Sequence, residues 1–424
     1  MSAPDPAPRG TPGPDPAAYD VVVVGAGILG LATARELLAR DPGLRIAVVD
    51  QADAVAAHQT GHNSGVIHAG IYYAPGSLKA RLCVDGARRM YAYCAERGIP
   101  TERVGKLVVA LDASELPGLD ELERRSRING VTIERVGPGR LREIEPHAVG
   151  VAALHSPNTG IVDFATVARA LAEDVRAAGG DVLLGREVTG VARRGALREL
   201  RTPAGPILTR GLIGCAGGWA DRLAVADGGS PDPRIVPFRG AYLRLRPEAT
   251  MLVRGLIYPV PDPELPFLGV HLTRHVSGDV LLGPTALLVG ARDAYDVGRI
   301  RRRDLGSIVR WPGTWRIARH FWRTAASELA TAVSRRAFVA GCARYVPELR
   351  TEDVADGWAG VRAQAVSRDG RLVDDFVFDE RPGALHVRNA PSPAATSSLA
   401  IAAMIADRAA GSLDLAPAGA APRS

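Results

Sequence analysis

Cysteine is scarce in this 424-residue chain, with four residues at Cys83, Cys94, Cys215 and Cys342. None falls in a CxxC pair or at a metal-binding spacing, which argues against a disulfide framework or a thiolate metal site and fits a reducing compartment. A long apolar run is also missing. The longest, residues 21–34, is interrupted by three glycines and is too short to cross a bilayer. The first 18 residues, MSAPDPAPRGTPGPDPAA, lack the apolar stretch of a signal peptide and read as a tail, as do residues 413–424. Lysine is rare where arginine abounds, a bias ascribed to base composition. These absences predict a soluble, cytoplasmic protein, attached at most to the inner face of the cell membrane.

The charge is unevenly placed. Residues 292–336 hold 11 arginines against 4 acidic residues, a balance of +7, whereas the whole chain carries +6. The remainder is near neutral, so a pI of about 9.4 points to one segment and gives no ground for a nucleic-acid partner. An apolar content of 46% suffices for two or three domain-sized cores.

Residues 19–50 read as one βαβ unit. YDVVVV is a β-branched run suited to a central parallel strand, and GAGILG places Gly25, Gly27 and Gly30 in GxGxxG spacing. A helix follows with Ile28, Leu31, Leu37 and Leu38 on its inner side, and RIAVVD forms a second strand ending in Asp50. Gly25 permits the tight turn, Gly27 lets a pyrophosphate approach the backbone, and Gly30 lets helix and strand pack closely. The helix N-terminus offers free N–H groups and a positive dipole end to phosphates. Asp50 suits ribose hydroxyls and repels a 2′-phosphate, which argues against NADP. The unit alone does not separate NAD from FAD.

Further along, residues 179–194 read as two short strands, and residues 209–224 as a strand, a glycine turn and a helix start. Residues 383–407 read as a strand, a Pro/Ser loop and a helix from about Ala394 that aims its positive end at a bound group. The segment HQTGHNSGVIHAGIYYAPGSLKA, residues 58–80, follows neither a helix nor a strand period. Its density of polar groups among small residues marks a segment built to touch ligands.

With the blocks GHNSGVIHAGIYYAPGSLKARLC, NTGIVDFATVARAL, IVPFRGAYL, IYPVPDPELPFLGVHLTRHVSGDVLLGP, GVRAQAVSRDGRLVDDF and NAPSPAATSSLAIA in view, the chain resembles the L-2-hydroxyglutarate oxidase/dehydrogenase family. That family lies within the D-amino-acid-oxidase-like flavoprotein superfamily, and the resemblance runs from about residue 19 to 410. Many superfamily relatives carry Glu where this chain has Asp50. The resemblance implies FAD and oxidation of L-2-hydroxyglutarate to 2-oxoglutarate; noncovalent FAD is favoured over a covalent link through a histidine, and quinone or oxygen is expected to take the electrons. It also implies an α/β and α+β fold: a Rossmann-type FAD domain over 19–100, 147–225 and 340–412, interleaved with a mixed-sheet substrate domain over 101–146 and 226–339.

On that reading Gly61, Thr60, Asn63, Ser64 and Gly65 run beneath the flavin, and Val188, Gly217, Pro391, Ser392, Ala394 and Thr396 add cofactor contacts. A base must take the hydroxyl proton, and histidine suits this near neutral pH. His58, His62, His68, His271 and His275 are candidates, with His68 favoured and His271 second; a structural histidine is the alternative for either. Two substrate carboxylates call for cationic clamps. Lys79, Arg239, Arg274 and Arg362 are the candidates, with Tyr72, Tyr258 and Thr273 as neutral donors, and Arg239 is alternatively a flavin contact. In the basic insert, Trp315, Ala318 and Trp322 fall on one face of a helix starting near Gly313, with Arg316, Arg319 and Arg323 beside them. That pattern fits a helix packed on the substrate domain with solvated arginines, or one docked on an anionic membrane. The rival functions are an amine or amino-acid oxidase of the same fold, and a membrane-docked nucleotide-binding protein without catalysis.

Overall fold

The computed structural model describes residues 18–262, 269–296 and 298–413. Strand β1 (Tyr19–Val24) buries its four valines on both faces, as a central parallel strand must. Val21 and Val23 pack with Ile28, Leu31, Leu37 and Leu38 of helix α1 (Ile28–Arg40), while Val22 and Val24 pack with Leu200, Leu212 and Leu223 on the other side. Each such side chain contributes roughly 1.5–3 kcal/mol by leaving water. β1 pairs in parallel with β2 (Ile46–Val49) and with the strand Ile207–Gly214. This last strand forks, pairing at its start with Leu197–Arg201 and at its end with Ala384–Asn389. The C-terminal part of the chain thereby returns to the middle of an eight-stranded sheet that begins at residue 19. Residues 181–183 and 190–194 are two short strands of this sheet, as their sequence predicts.

Helix α2 (Leu78–Glu96) follows the histidine-bearing segment and is N-capped by Ser77, whose hydroxyl accepts from the Ala80 N–H at 3.2 Å. A second, nine-stranded sheet contains β3 (Lys106–Ala110), β4 (Arg234–Leu245), β5 (Leu256–Pro259), β6 (His271–Arg274) and β7 (Val354–Val366). β3 lies between β5 and the strand Ala152–Ser156, and β7 runs antiparallel along nearly the whole of β4. The strand Ala152–Ser156 and β7 both lie in spans expected to belong to the nucleotide-binding unit, 147–225 and 340–412. Their backbone hydrogen bonds go to the second sheet instead, so the chain crosses between the two sheets more often than the sequence suggests. A three-stranded sheet of Val66–Ile67, Gly160–Val162 and Thr101–Glu102 lies outside both.

Within the basic insert, the single helix that periodicity suggests from near Gly313 is two, α3 (Pro312–His320) and α4 (Trp322–Val333), separated at Phe321, and a further helix, Arg302–Val309, precedes them. Ile317 and Trp311 are buried against Val236, Ile308 and Val366, which fixes the insert to β4 and β7. Trp315 and Trp322 are both 61% exposed. The last helix, α5 (Ser398–Ser412), begins four residues later than its sequence suggests. Pro391 and Pro393 impose turns first: the Pro391 carbonyl accepts from Ala394 and the Pro393 carbonyl from Ser397, both at 3.0 Å. Among the described residues, no helix is long and apolar enough to cross a membrane.

A buried ionic network joins the insert to the nucleotide-binding sheet. The Arg292 guanidinium, 1% exposed, bonds both carboxylate oxygens of Asp221, and its backbone N–H donates to Asp304 at 3.0 Å. Arg222 completes the group by pairing with Asp304 at 2.6 Å. Burial alone would push the Asp221 carboxyl up, but the Arg292 hydrogen bonds outweigh it and the group titrates below its ordinary value.

Candidate active site

Where β1 ends, Gly25 has a φ of +121°, and a side chain there would collide with the Cys215 carbonyl. A Cβ on Gly30 would strike the Gly25 carbonyl, so this glycine does not face a ligand but lets α1 close on β1. At Gly27 a Cβ would meet only the Thr60 hydroxyl, at 3.2 Å, leaving an open approach to the start of α1. That helix carries no acidic residue in its first turn, and Thr60 accepts from the Ile28 N–H at 3.1 Å. The positive end of α1 therefore faces a chamber of about 940 Å³, at the large end for small-molecule sites.

Asp50 lines this chamber at the end of β2. Its two oxygens accept from the Ala26 N–H at 2.7 Å and the Ala52 N–H at 2.8 Å, so it braces the glycine turn. A carboxylate has about four acceptor positions, and those remaining suit ribose hydroxyls. Thr60, Ser64, Val188, Gly217, Pro391, Ser392, Ala394 and Thr396 also line the chamber. Asn63 lines it too, but its amide is committed to its own turn, donating to the Gln59 and Thr60 carbonyls and accepting from Gly65. Gly65, with φ +70°, lies off the chamber as a turn residue.

His68 is the hinge between the two ends of the site. Its backbone N–H donates to the Thr396 hydroxyl at 3.1 Å, and that hydroxyl donates to the Val66 carbonyl at 3.2 Å, so the loop before α5 holds the histidine segment. The His68 ring lines the chamber and is partly accessible there, yet it is otherwise enclosed. Burial, with smaller contributions from Lys106 and His271, drives its pKa well below the usual histidine value. His271, on β6, is driven to about 3, chiefly by burial. Its Nδ1 lies 2.9 Å from the Gly269 carbonyl, which fixes the proton on Nδ1 and leaves Nε2 as an acceptor. The His271 ring stacks on Tyr258 at 4.0 Å between centroids.

The proposed carboxylate ligands divide. Tyr72, Lys79, Tyr258 and Arg362 line the chamber, and the Tyr72 hydroxyl is buried with no hydrogen-bond partner among the described residues. Lys79 already holds an anion, Asp374, at 2.6 Å. Arg239, Arg274 and Thr273 are not on the chamber wall. Arg274 follows the pleat of β6 to the face opposite His271 and lies 3.8 Å from Glu102. Arg239 donates to the Tyr295 carbonyl at 3.2 Å, while its neighbour Gly240 faces the chamber. Thr273 is fully buried behind Tyr258. Of the other candidate bases, His275 lies off the chamber bonded to Ser277, whereas His58 and His62 line it, the His58 ring tilted against Trp219 and the His62 ring stacked on Tyr295.

Sequence reasoning passed over Tyr242, Gln364 and Lys106. The first two line the chamber on β4 and β7. Lys106, 1% exposed on β3, lies beside it in a small recess shared with His68, Tyr72 and Tyr73. Its rarity was the available signal, since Lys79 and Lys106 are the only lysines in the chain.

A glycine cradle and helix N-terminus at one end of a chamber, and neutral histidines with cations at the other, define a dinucleotide-dependent oxidoreductase. A family model described as FAD dependent oxidoreductase (DAO) matches residues 20–408, and the chain belongs to that family. Within it the chain belongs with the L-2-hydroxyglutarate dehydrogenases. It is 48% identical to the mitochondrial L-2-hydroxyglutarate dehydrogenase of Nematostella vectensis over 92% of this chain and 90% of the relative. It is 45% identical to that of Homo sapiens over 92% and 88%. Among solved structures, an FAD-bound L-α-glycerophosphate oxidase from Mycoplasma pneumoniae superposes with a TM-score of 0.75 at 22% identity, covering 94% of this chain and 96% of that one. The glycine oxidase of Geobacillus kaustophilus gives 0.69 at 19% identity, covering 94% and 95%. At these identities the two structures speak for the fold alone. The cofactor is FAD, and the open cradle at Gly27 fits its pyrophosphate.

Asp50→Ala is expected to weaken FAD retention, because it removes both the brace of the glycine turn and a charged acceptor worth about 1.5–3 kcal/mol per hydrogen bond. Equilibrium dialysis against FAD checks this, and unchanged retention would remove Asp50 from the site.

Proposed function

We infer that the protein oxidises L-2-hydroxyglutarate to 2-oxoglutarate with FAD, as the curated relatives' names indicate for them. The observation that carries this reading is the joining, in one chamber, of a dinucleotide cradle with His68, His271 and the cations Lys79 and Arg362. When bound, FAD supplies the acceptor for the two electrons that leave C2 as a hydride. His68 takes the proton of the C2 hydroxyl, so that the C–H and O–H bonds break and C=O forms. Burial keeps both histidines unprotonated at neutral pH, so each has a free lone pair. Tethering by Thr396 supports His68 as the base, since it ties that residue to the cofactor-side loop; His271 Nε2 is assigned to orient the hydroxyl. Arg362 and the Tyr72 hydroxyl are assigned to the carboxylates.

Anaerobic titration with the two enantiomers tests the reading. L-2-hydroxyglutarate should bleach the flavin and the D isomer should not. A flavin reduced instead by neutral amino acids would favour an amine oxidase of the same fold.

We further propose that the basic insert docks on an anionic membrane, from which a quinone takes the electrons. Support comes from the exposed Trp315, Trp322, Val309 and Leu305 among the exposed Arg302, Arg303, Arg310, Arg319 and Arg323. Each basic residue near such a surface contributes about 1 kcal/mol. Vesicles containing phosphatidylserine should bind the protein at low salt and release it as the Debye length falls from about 30 Å at 0.01 M to 10 Å at 0.1 M. Arg316, Arg319 and Arg323 changed together to Glu should abolish sedimentation with vesicles while sparing turnover with a soluble dye. If the wild type ignores such vesicles at low salt, the exposed tryptophans have another purpose.

A further inference from the structure

The two lysines of this chain stand against fifty arginines, and both lie at the chamber. Arginine differs in two ways: it is larger, and it does not release its proton in a protein. For Lys79 an exposed carboxylate, Asp374, supplies the counter-charge. Among the described residues, Lys106 has no such partner.

Its ammonium nitrogen lies 3.9 Å from the Tyr258 ring centre and 5.2 Å from that of Tyr72. The titratable groups around it are His68, Tyr72 and Tyr73 from the segment before α2, Cys83 from α2, Tyr258 from β5 and His271 from β6, with Arg362 of β7 beyond Tyr258. None of these is a carboxylate. Two aromatic faces give a desolvated cation about 2 kcal/mol or more, which does not replace a counter-ion. Among the described residues no carboxylate lines the recess, Asp374 lying beyond Tyr73, and the recess adjoins a chamber assigned to a dicarboxylate.

We propose that Lys106 is a positioning residue that takes up a proton as the dianionic substrate enters, balancing its charge from beside the chamber. The inference rests on the dicarboxylate reading above. Burial drives the Lys106 ammonium down to about 7. The Cys83 thiolate would oppose that shift, but the thiol is itself pushed up to about 12 and is uncharged at neutral pH. Above pH 7 the empty recess thus holds mainly the neutral amine. A dianion nearby favours the ammonium, so binding draws a proton from solvent. The sign follows from linkage: affinity is flat below about pH 7 and falls by up to about tenfold per pH unit above it. A permanently charged residue would bind the same ligand without that dependence, and would oppose neutralisation of the empty site.

The test is calorimetric titration of the FAD-loaded protein with 2-oxoglutarate near pH 8, in two buffers of different ionisation heat. The wild type should take up close to one proton per site, as expected for a single group titrating near 7. Lys106→Met should bind roughly tenfold or more weakly and take up none, whereas Lys106→Arg should take up none and show affinity independent of pH. Uptake that survives in Lys106→Met would assign the proton to a histidine and overturn the proposal. If the variants shed FAD, the wild type still decides, since binding with no proton exchange from about pH 6 to 9 also overturns it. Bleaching of the wild-type flavin by L-2-hydroxyglutarate separates the two levels. Bleaching without proton uptake defeats the role of Lys106 alone, and absence of bleaching defeats the dicarboxylate reading.

Discussion

His68→Ala should slow anaerobic flavin reduction by L-2-hydroxyglutarate about 10²–10⁴-fold, the usual contribution of a positioned base. The visible spectrum of bound FAD should persist, because the tether from Thr396 runs to the backbone N–H of residue 68 and survives loss of the ring. Stopped-flow spectroscopy reads both quantities at once. The pH profile gives an independent check. A histidine whose pKa is lowered by burial loses its lone pair only well below its usual range, so wild-type reduction at saturating substrate should stay flat from about pH 8 to pH 6.5. Wild-type rates in the variant would move the role to His271, whose free Nε2 is the next acceptor on the wall.

The second large effect is on stability. Arg292→Met should destabilise the protein by about 3–5 kcal/mol, because Asp221 would be left buried without its partner. The double variant Arg292→Met, Asp221→Leu should recover part of the loss, since it removes the stranded charge. Urea unfolding at saturating FAD measures both. Because Asp221 titrates below its ordinary value, the contribution of the pair is complete above about pH 4 and disappears as pH falls through the lowered value. A single variant as stable as the wild type would mean that the insert is held by Trp311 and Ile317 alone.

The βαβ unit was readable because several independent signals coincide over residues 19–50: continuous valines, glycine spacing, helical periodicity and a terminal acid. The chamber was less readable, since it is assembled from segments far apart in the chain. Arg239 and Arg274 sit in ligand-like sequence blocks, yet strand alternation turns them from the wall, and no local pattern reports which face of a mixed sheet is inside. Lys106 opens the run KLVVA, which reads as a strand with a charged end. Its burial depends on β5 and the strand Ala152–Ser156 enclosing it from both sides. Trp315 and Trp322 share a face on an ideal helix, but the break at Phe321 puts them on different helices. Periodicity alone cannot locate such a break.

The bond between the His68 backbone and the Thr396 hydroxyl closes a loop of 328 residues. During synthesis at about 5–20 residues per second, the histidine segment waits roughly 15–65 seconds for the residue that anchors it. Throughout that interval residues 19–50 are already synthesised, while Cys215 and the strand Ile207–Gly214 that pack on the glycine turn, and the far wall of the chamber, are added later. Cofactor capture is therefore expected late in the life of the nascent chain. A ribosome stalled anywhere before codon 396 carries a nucleotide-binding unit with its strongest local signals in place and no finished chamber to close over the flavin.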